Sequence, residues 1–171
     1  MIFSMSNSSR TMSYLLGGLK MNDYFSKLFK YNDWANKTVV KFLQSHNINN
    51  QDILSLLSHI VLAEQIWMVR MQKGNYEKLD FWKQLSLEEC EKLIVENFSI
   101  YFSFIGKMNE KDFKRIVHYK NSKEIDFSNT IEDILTHLSH HSSYHRTQIA
   151  RDLRKLGYQP AMTDYIAFIR G

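Results

Sequence analysis

The sequence predicts an all-α protein, a four-helix bundle with a small β-hairpin insert between its third and fourth helices. Three observations lead to that class. Apolar residues recur at three- and four-residue steps through four long stretches. One proline and six glycines among 171 residues are too few for a loop-rich or all-β chain. Helix start and stop signals fall where the periodic stretches begin and end. The length suits one domain, and 44% hydrophobic with 23% charged residues excludes wholesale disorder.

The first twenty residues contain five serines, one Arg, one Lys and no acid, and show no sustained apolar period. Residues 1–21 are therefore read as a loose N-terminal arm or an extended start; a targeting peptide has a weaker basis in so few charges. The bundle domain is expected over 22–171. Tyr24, Leu28, Tyr31, Ala35, Val39 and Phe42 mark a first amphipathic helix to about Ser45. A short polar connection, His46–Asn50, predicts that the second helix is an antiparallel neighbour of the first. That helix runs from about Asp52, an N-cap or first-turn acid, to about Lys73, where Gly74–Asn75 ends it.

A capping box, Ser86 with Glu89, opens the third helix, whose apolar face is Leu87, Cys90, Ile94, Phe98, Tyr101, Ile105 and Met108. Between 113 and 127 the period changes to two at Val117, Tyr119, Ile125 and Phe127, as in a small hairpin turning near Lys120–Lys123. The fourth helix starts after Thr130, with Asp133 completing a capping pattern, and stops at Leu156, where Gly157 and then Pro160 follow. A short helix over about Thr163–Ile169 closes the chain.

The formal charge is +4, with 22 basic against 18 acidic residues and no basic stripe, so no nucleic-acid partner is expected. No run of about eighteen consecutive apolar residues exists, so no membrane partner is expected either. A single cysteine, Cys90, forms no internal disulfide; it sits at an apolar helical position as small core filler, and a cytoplasmic setting is expected.

Four of the seven histidines, His137, His140, His141 and His145, lie within nine residues. His137, His141 and His145 are spaced by four and stack along one helix face, which also carries Ile134, Leu138, Ile149 and Leu153. Two imidazoles at i and i+4 leave adjacent turns on the same side and can converge on one metal ion. Imidazoles buried in a bundle need partners, and metal ligation supplies one. His59, in the second helix among Leu56, Ile60, Leu62, Ala63 and Ile66, is the candidate third ligand. His140 is about 100° off the ligand face and is expected to be exposed. His46 and His118 have no such cluster around them.

The chain resembles the DinB/YfiT-like metal-binding bundles from about Asn22 to its end. The resemblance is carried by Tyr31-Asn-Asp-Trp34-Ala-Asn36, by Leu57-Ser-His59-Ile60 with Ala63-Glu64 and Trp67, and by His141-Ser-Ser-Tyr-His145-Arg-Thr-Gln148-Ile149. The tail from Leu156-Gly157 through Pro160 to Asp164-Tyr165-Ile166 adds to it. It implies an up-down-down-up bundle, with the residues between the second and third helices making the crossover. It also implies a metal triad of His59, His141 and His145. Thr147 departs from the family pattern, where glycine is common, and is read as a change in local packing. His137, outside that triad, is expected to support the ligands or line the cavity.

Three neutral imidazoles leave Zn²⁺ an open fourth position, and Ni²⁺ or Fe²⁺ more than one. The expected cofactor is thus a divalent transition metal, zinc or nickel first, iron or manganese next. The resemblance also implies kinship with a wider superfamily that includes enzymes using low-molecular-weight thiols such as bacillithiol or mycothiol. The leading expectation is therefore a metal-dependent thiol S-transferase, with a small-molecule electrophile and a low-molecular-weight thiol as partners. The alternatives are a metal-dependent hydrolase using metal-bound hydroxide and a non-catalytic metal-binding stress protein. The catalytic residues are not identified from sequence. Arg146 and Arg70 are candidate thiol anchors. Glu64 is read as a helix-surface charge, with a proton- or hydrogen-bond-accepting role near the metal as the alternative. Asp164 is read as tying down or capping the last helix. Trp34, Trp67 and Trp82 are read as packing residues, one of which can border a pocket. A homodimer is expected, because family members often dimerise and because Phe25, Phe29, Phe102 and Phe104 exceed what one core obviously needs.

Overall fold

The computed structural model describes residues 20–73, 80–121 and 123–171. The elements are α1 (Met21–Ser45), α2 (Gln51–Met71), α3 (Leu87–Gly106), α4 (Glu110–Phe113), β1 (Ile116–Lys120), β2 (Asp126–Thr130), α5 (Ile131–Lys155) and α6 (Tyr165–Arg170). This is the expected mostly helical fold with a small β insert. The expected arm lies, but for its last two residues, outside the described residues, as does the Gly74–Asn75 stop.

The helix ends follow the chemistry of unpaired backbone groups. Asn50, rather than Asp52, caps α2, its side chain accepting the Ile53 N–H at 3.1 Å; Asp52 lies in the first turn. Ser86 with Glu89 and Thr130 with Asp133 form reciprocal capping boxes at α3 and α5. At the end of α5, Gly157 takes φ of +84° and the Tyr158 N–H returns to the Leu153 carbonyl at 3.0 Å, a turn that only glycine enters without cost. Asp164 precedes α6, but its side chain makes no cap hydrogen bond; its carbonyl accepts from Ala167 and Phe168 instead.

Side-chain pairs fix the helix directions. Phe29 of α1 stacks on Tyr101 of α3, and Gln44 reaches Glu91, so these helices run antiparallel. Glu64 of α2 bonds Asn97 while Ser58 approaches Cys90, so α2 and α3 are parallel. His59 meets His145 and Trp67 meets His137, so α2 and α5 are antiparallel. The bundle is up-down-down-up. Its close pairs are α1 with α3, α2 with α5, α2 with α3 and α1 with α5. Helices α1 and α2, although joined by a short turn, are not among them; the expected neighbour relation is replaced by a diagonal one.

The hairpin pairs β1 with β2 antiparallel, Val117 opposite Asn129 and Tyr119 opposite Phe127. Val117 is buried beneath it, while Phe127 and Ile125 are exposed. Ile125 belongs to the turn, its carbonyl accepting from the Asn121 N–H at 3.0 Å. By length and composition α2 could cross a membrane, but it is the central core helix, mostly buried inside the bundle.

Two apolar clusters fill the bundle. One, toward the hairpin, holds Phe25, Phe29, Tyr101, Phe113 and Ile131; the other, toward the α1–α2 turn, holds Leu43, Leu57, Cys90, Ile149 and Leu153. Phe25 and Phe29 are thus core residues, not surplus surface aromatics, which removes half the compositional basis for a dimer. Cys90 is fully buried and burial pushes its thiol up to about 11, as suits core filler.

Between the clusters runs a polar layer. Arg146, 2% exposed, donates to Asn32 Oδ1 at 2.6 Å, Asn36 Oδ1 at 2.8 Å and the Tyr31 hydroxyl at 3.2 Å. Asn32 in turn donates to Glu64 Oε1 at 2.6 Å, and Asn97 donates to Glu64 Oε2 at 2.9 Å. Glu64, read from sequence as a surface charge, is 4% exposed; most of α2 is enclosed by its neighbours, so it has almost no outward face there. Burial raises its carboxyl to about 7, against the pull of Asn97, Asn32 and Arg146.

Replacing the relay residue should expose the cost of this layer. Asn32→Leu leaves an Arg146 N–H and a Glu64 oxygen without their shared partner, and should cost about 3 kcal/mol or more in urea unfolding. Asn49→Leu, at an exposed position, should stay within about 0.5 kcal/mol of the parent chain. Comparable small losses in both would mean that the layer is not under this constraint.

Candidate metal centre

His59, His141 and His145 come together at the level of the polar layer, where α2 and α5 face each other. One ligand atom from each lies within 4.8 Å of the others, and the Nε2 atoms of His59 and His141 are 3.1 Å apart. His59 and His145 are buried, and His141 is half-buried. The i and i+4 spacing on α5 places two rings on successive turns, 4.4 Å between centroids.

The outer nitrogens are held by acceptors. His59 Nδ1 donates to the Phe81 carbonyl at 2.9 Å, and His145 Nδ1 donates to Gln148 Oε1 at 2.7 Å. Because both partners accept, Nδ1 carries the proton in each ring and the Nε2 lone pair is left for a ligand. The Trp82 indole stacks on His59 with centroids 3.9 Å apart and planes 6° apart. His141 is less satisfied: its Nδ1 is buried without a hydrogen-bond partner.

All three imidazoles are held below the ordinary histidine range. Burial is the largest cause in each; His145 adds to the effect at His59, and His145, His59 and His137 add to it at His141, which falls to about 3. Three neutral, converging nitrogens, two with fixed tautomers and one with an orphaned ring nitrogen, fit a divalent transition metal. Tetrahedral ligands about 2.1 Å from zinc lie roughly 3.4 Å apart, close to the observed His59–His141 spacing.

The other expected residues sort plainly. His137 is exposed, its ring edge toward Trp67 at 5.8 Å and 5.4 Å from His141, so it borders the three-histidine group without joining it. His140 is exposed as expected. His46 stacks on Phe42 at the end of α1, and His118 bonds Ser128 across the hairpin. Arg146 is bound within the polar layer and does not reach out as a thiol anchor.

Arg70 lines a cavity of about 650 Å³ with His59, Trp67, Asp80, Phe81, Trp82, Tyr119, Asn121 and Phe127. Trp67 and Trp82 therefore border a pocket, whereas Trp34 packs near Tyr31 and Phe168. Asp80 and Phe81 escaped the sequence reading, and Trp82 entered it only as a packing residue that can border a pocket, because the crossover carrying them has no period. Their only signal is two adjacent aromatics after an acid in a non-helical stretch.

An up-down-down-up bundle with three converging histidines on two facing helices defines a class of helical proteins with a candidate metal site. Residues 20–171 match the model of the DinB family, and the chain belongs to that family. It is similar to protein DinB of Bacillus subtilis (strain 168), with 29% identity over 162 residues, covering 85% of this chain and 93% of that protein.

Two outcomes follow for the centre. Reconstituted and desalted protein should retain about one transition-metal equivalent per chain, lost in His59→Ala and kept in His140→Ala; equal retention in both variants, read by elemental analysis, would remove His59 from the ligand set. In metal-free protein the three histidines titrate below their unfolded value near 6.5, so the unfolded chain takes up protons first as pH falls. Their contribution to stability is whole above about 6.5 and is lost progressively below it, for His141 toward about 3. Glu64 has the opposite sign, favouring the folded state as pH falls from about 7 toward 4.5. His141→Ala should therefore flatten the acid decline of the urea midpoint between pH 6.5 and 4.5; an unchanged slope would contradict the assignment.

Proposed function

We propose that this protein is a metal-dependent thiol S-transferase. The observation that carries this reading is that His59 belongs both to the three-histidine group and to the wall of a 650 Å³ cavity. A structural metal site would be closed by protein ligands; three imidazoles beside a cavity leave room for a reactant. A divalent metal, zinc or nickel by preference, supplies Lewis acidity that makes a nearby thiol acidic at neutral pH.

The chain's own residues do the rest. The Phe81 carbonyl and Gln148 hold the ligand rings in one tautomer, and Trp82 covers one face of His59. Arg70 puts a cationic group in the cavity wall. The thiol, of the bacillithiol or mycothiol type, releases its proton to solvent water, and its sulfur bonds to an electrophilic carbon, whose leaving group departs with the bonding electron pair. Function as a homodimer is part of the same proposal.

Hydrolysis is the second reading, favoured by one observation. Asp80 is a carboxylate in the same cavity wall as His59, with Oδ1 accepting the Trp82 N–H at 2.8 Å, and it can serve as a base for water. Glu64 and Arg146 are both enclosed in the polar layer and serve neither reaction directly.

Metal-replete protein incubated with a thiol and a panel of electrophiles separates the readings. Thiol consumption that requires protein, metal and electrophile together, and that falls to background in His59→Ala, is the expected result. Electrophile loss without thiol consumption, abolished in Asp80→Asn, would replace transfer by hydrolysis. Metal binding with no turnover of any pair would leave a metal-binding stress protein.

A further inference from the structure

The geometry points to the cavity beside His59 as a binding site for a flat, uncharged aromatic or conjugated ring on the substrate. The cavity's volume, about 650 Å³, lies within the range of about 300–1,000 Å³ typical of small-molecule sites. Five of its lining side chains are aromatic: Trp67, Phe81, Trp82, Tyr119 and Phe127.

An aromatic-walled cavity commonly suggests a cation, because ring faces attract positive charge. Here that attraction is already used. The Arg70 guanidinium lies 4.7 Å from the Trp67 ring centre, 4.8 Å from Tyr119 and 5.4 Å from Phe81, and donates to the Lys120 carbonyl at 2.9 Å. A second cation would find those three faces taken and would be repelled by the guanidinium beside it. An anion is not selected either, since Asp80 opposes Arg70 in the same wall. The aromatic surface left over is Trp82, 59% exposed and stacked on His59, and Phe127, 44% exposed and stacked on Tyr119 with centroids 6.0 Å apart. Such surfaces favour another ring by stacking and by water release.

As a statement of substrate class, the inference rests on the transferase reading: the electrophile carries the ring, and the ring brings it to the metal side of the cavity. Ring binding itself needs no metal, so the two can fail separately.

The test is calorimetric titration of the metal-free full chain with 2-naphthylmethanol, its saturated decahydro analogue and 2-naphthylmethylammonium. The neutral naphthalene should bind at one site, and the other two should bind about three- to tenfold more weakly. Phe127→Ala and Trp82→Ala change exposed side chains and should each weaken naphthalene binding by about the same factor, whereas Phe102→Ala, exposed on α3, should not. Equal affinity for the saturated analogue, tighter binding of the ammonium, or indifference to both cavity variants would overturn the inference. Metal titration of the same protein keeps the readings apart. Naphthalene binding without metal uptake defeats the transferase alone, and metal uptake without ring discrimination defeats this inference alone.

Discussion

A guanidinium held in the middle of a helical bundle must have its charge answered and its N–H groups occupied, and the architecture is organised around doing so for Arg146. Its partners come from α1, in Tyr31, Asn32 and Asn36, and through Asn32 the network extends to Glu64 on α2 and Asn97 on α3. Four helices are therefore tied at one level by directional bonds, between two mostly apolar clusters. Apolar packing alone tolerates sliding and rotation of helices; a network that is costly when half-satisfied does not.

That register is what the histidines need. His145 immediately precedes Arg146, so α5 turns one residue into the polar layer and its neighbour toward α2. The rings of His59 and His145 are then held from outside, by the Phe81 carbonyl, the Gln148 amide and the Trp82 indole. Burial keeps the imidazoles neutral, which is the state a metal takes up, and their closeness to one another strengthens the effect at His141. The same desolvation that makes the bare site expensive prepares it for a cation.

Much of this was legible in the sequence, where the physics is local. Helix boundaries followed from Ser86 with Glu89, Thr130 with Asp133, and Gly157; the i and i+4 histidines followed from helical geometry, and His59 from its apolar neighbours. Features that depend on which helices touch were not legible. Glu64 looked like a surface charge because its partners Asn32, Asn97 and Arg146 are remote in sequence. Phe25 and Phe29 looked surplus because Phe113 and Tyr101, which stack on them, belong to other elements. The diagonal placement of α1 and α2 was hidden for the same reason: a short turn limits distance but not which neighbours intervene. Asp80, Phe81 and Trp82 lie in a crossover where no period exists to read.

The junction at Thr130 has a consequence of its own. This residue is the last of β2, paired across the ladder with Ile116, and also the N-cap of α5, so no linker separates ladder from helix. The rotational phase of α5 is consequently inherited from the hairpin. One residue inserted there would turn the downstream histidines by about 100° around the helix axis, away from α2 and toward solvent or the core. The hairpin is thus an indexing device as well as a cavity wall, and the chain can vary the hairpin's tip far more freely than its length between β2 and the first turn of α5.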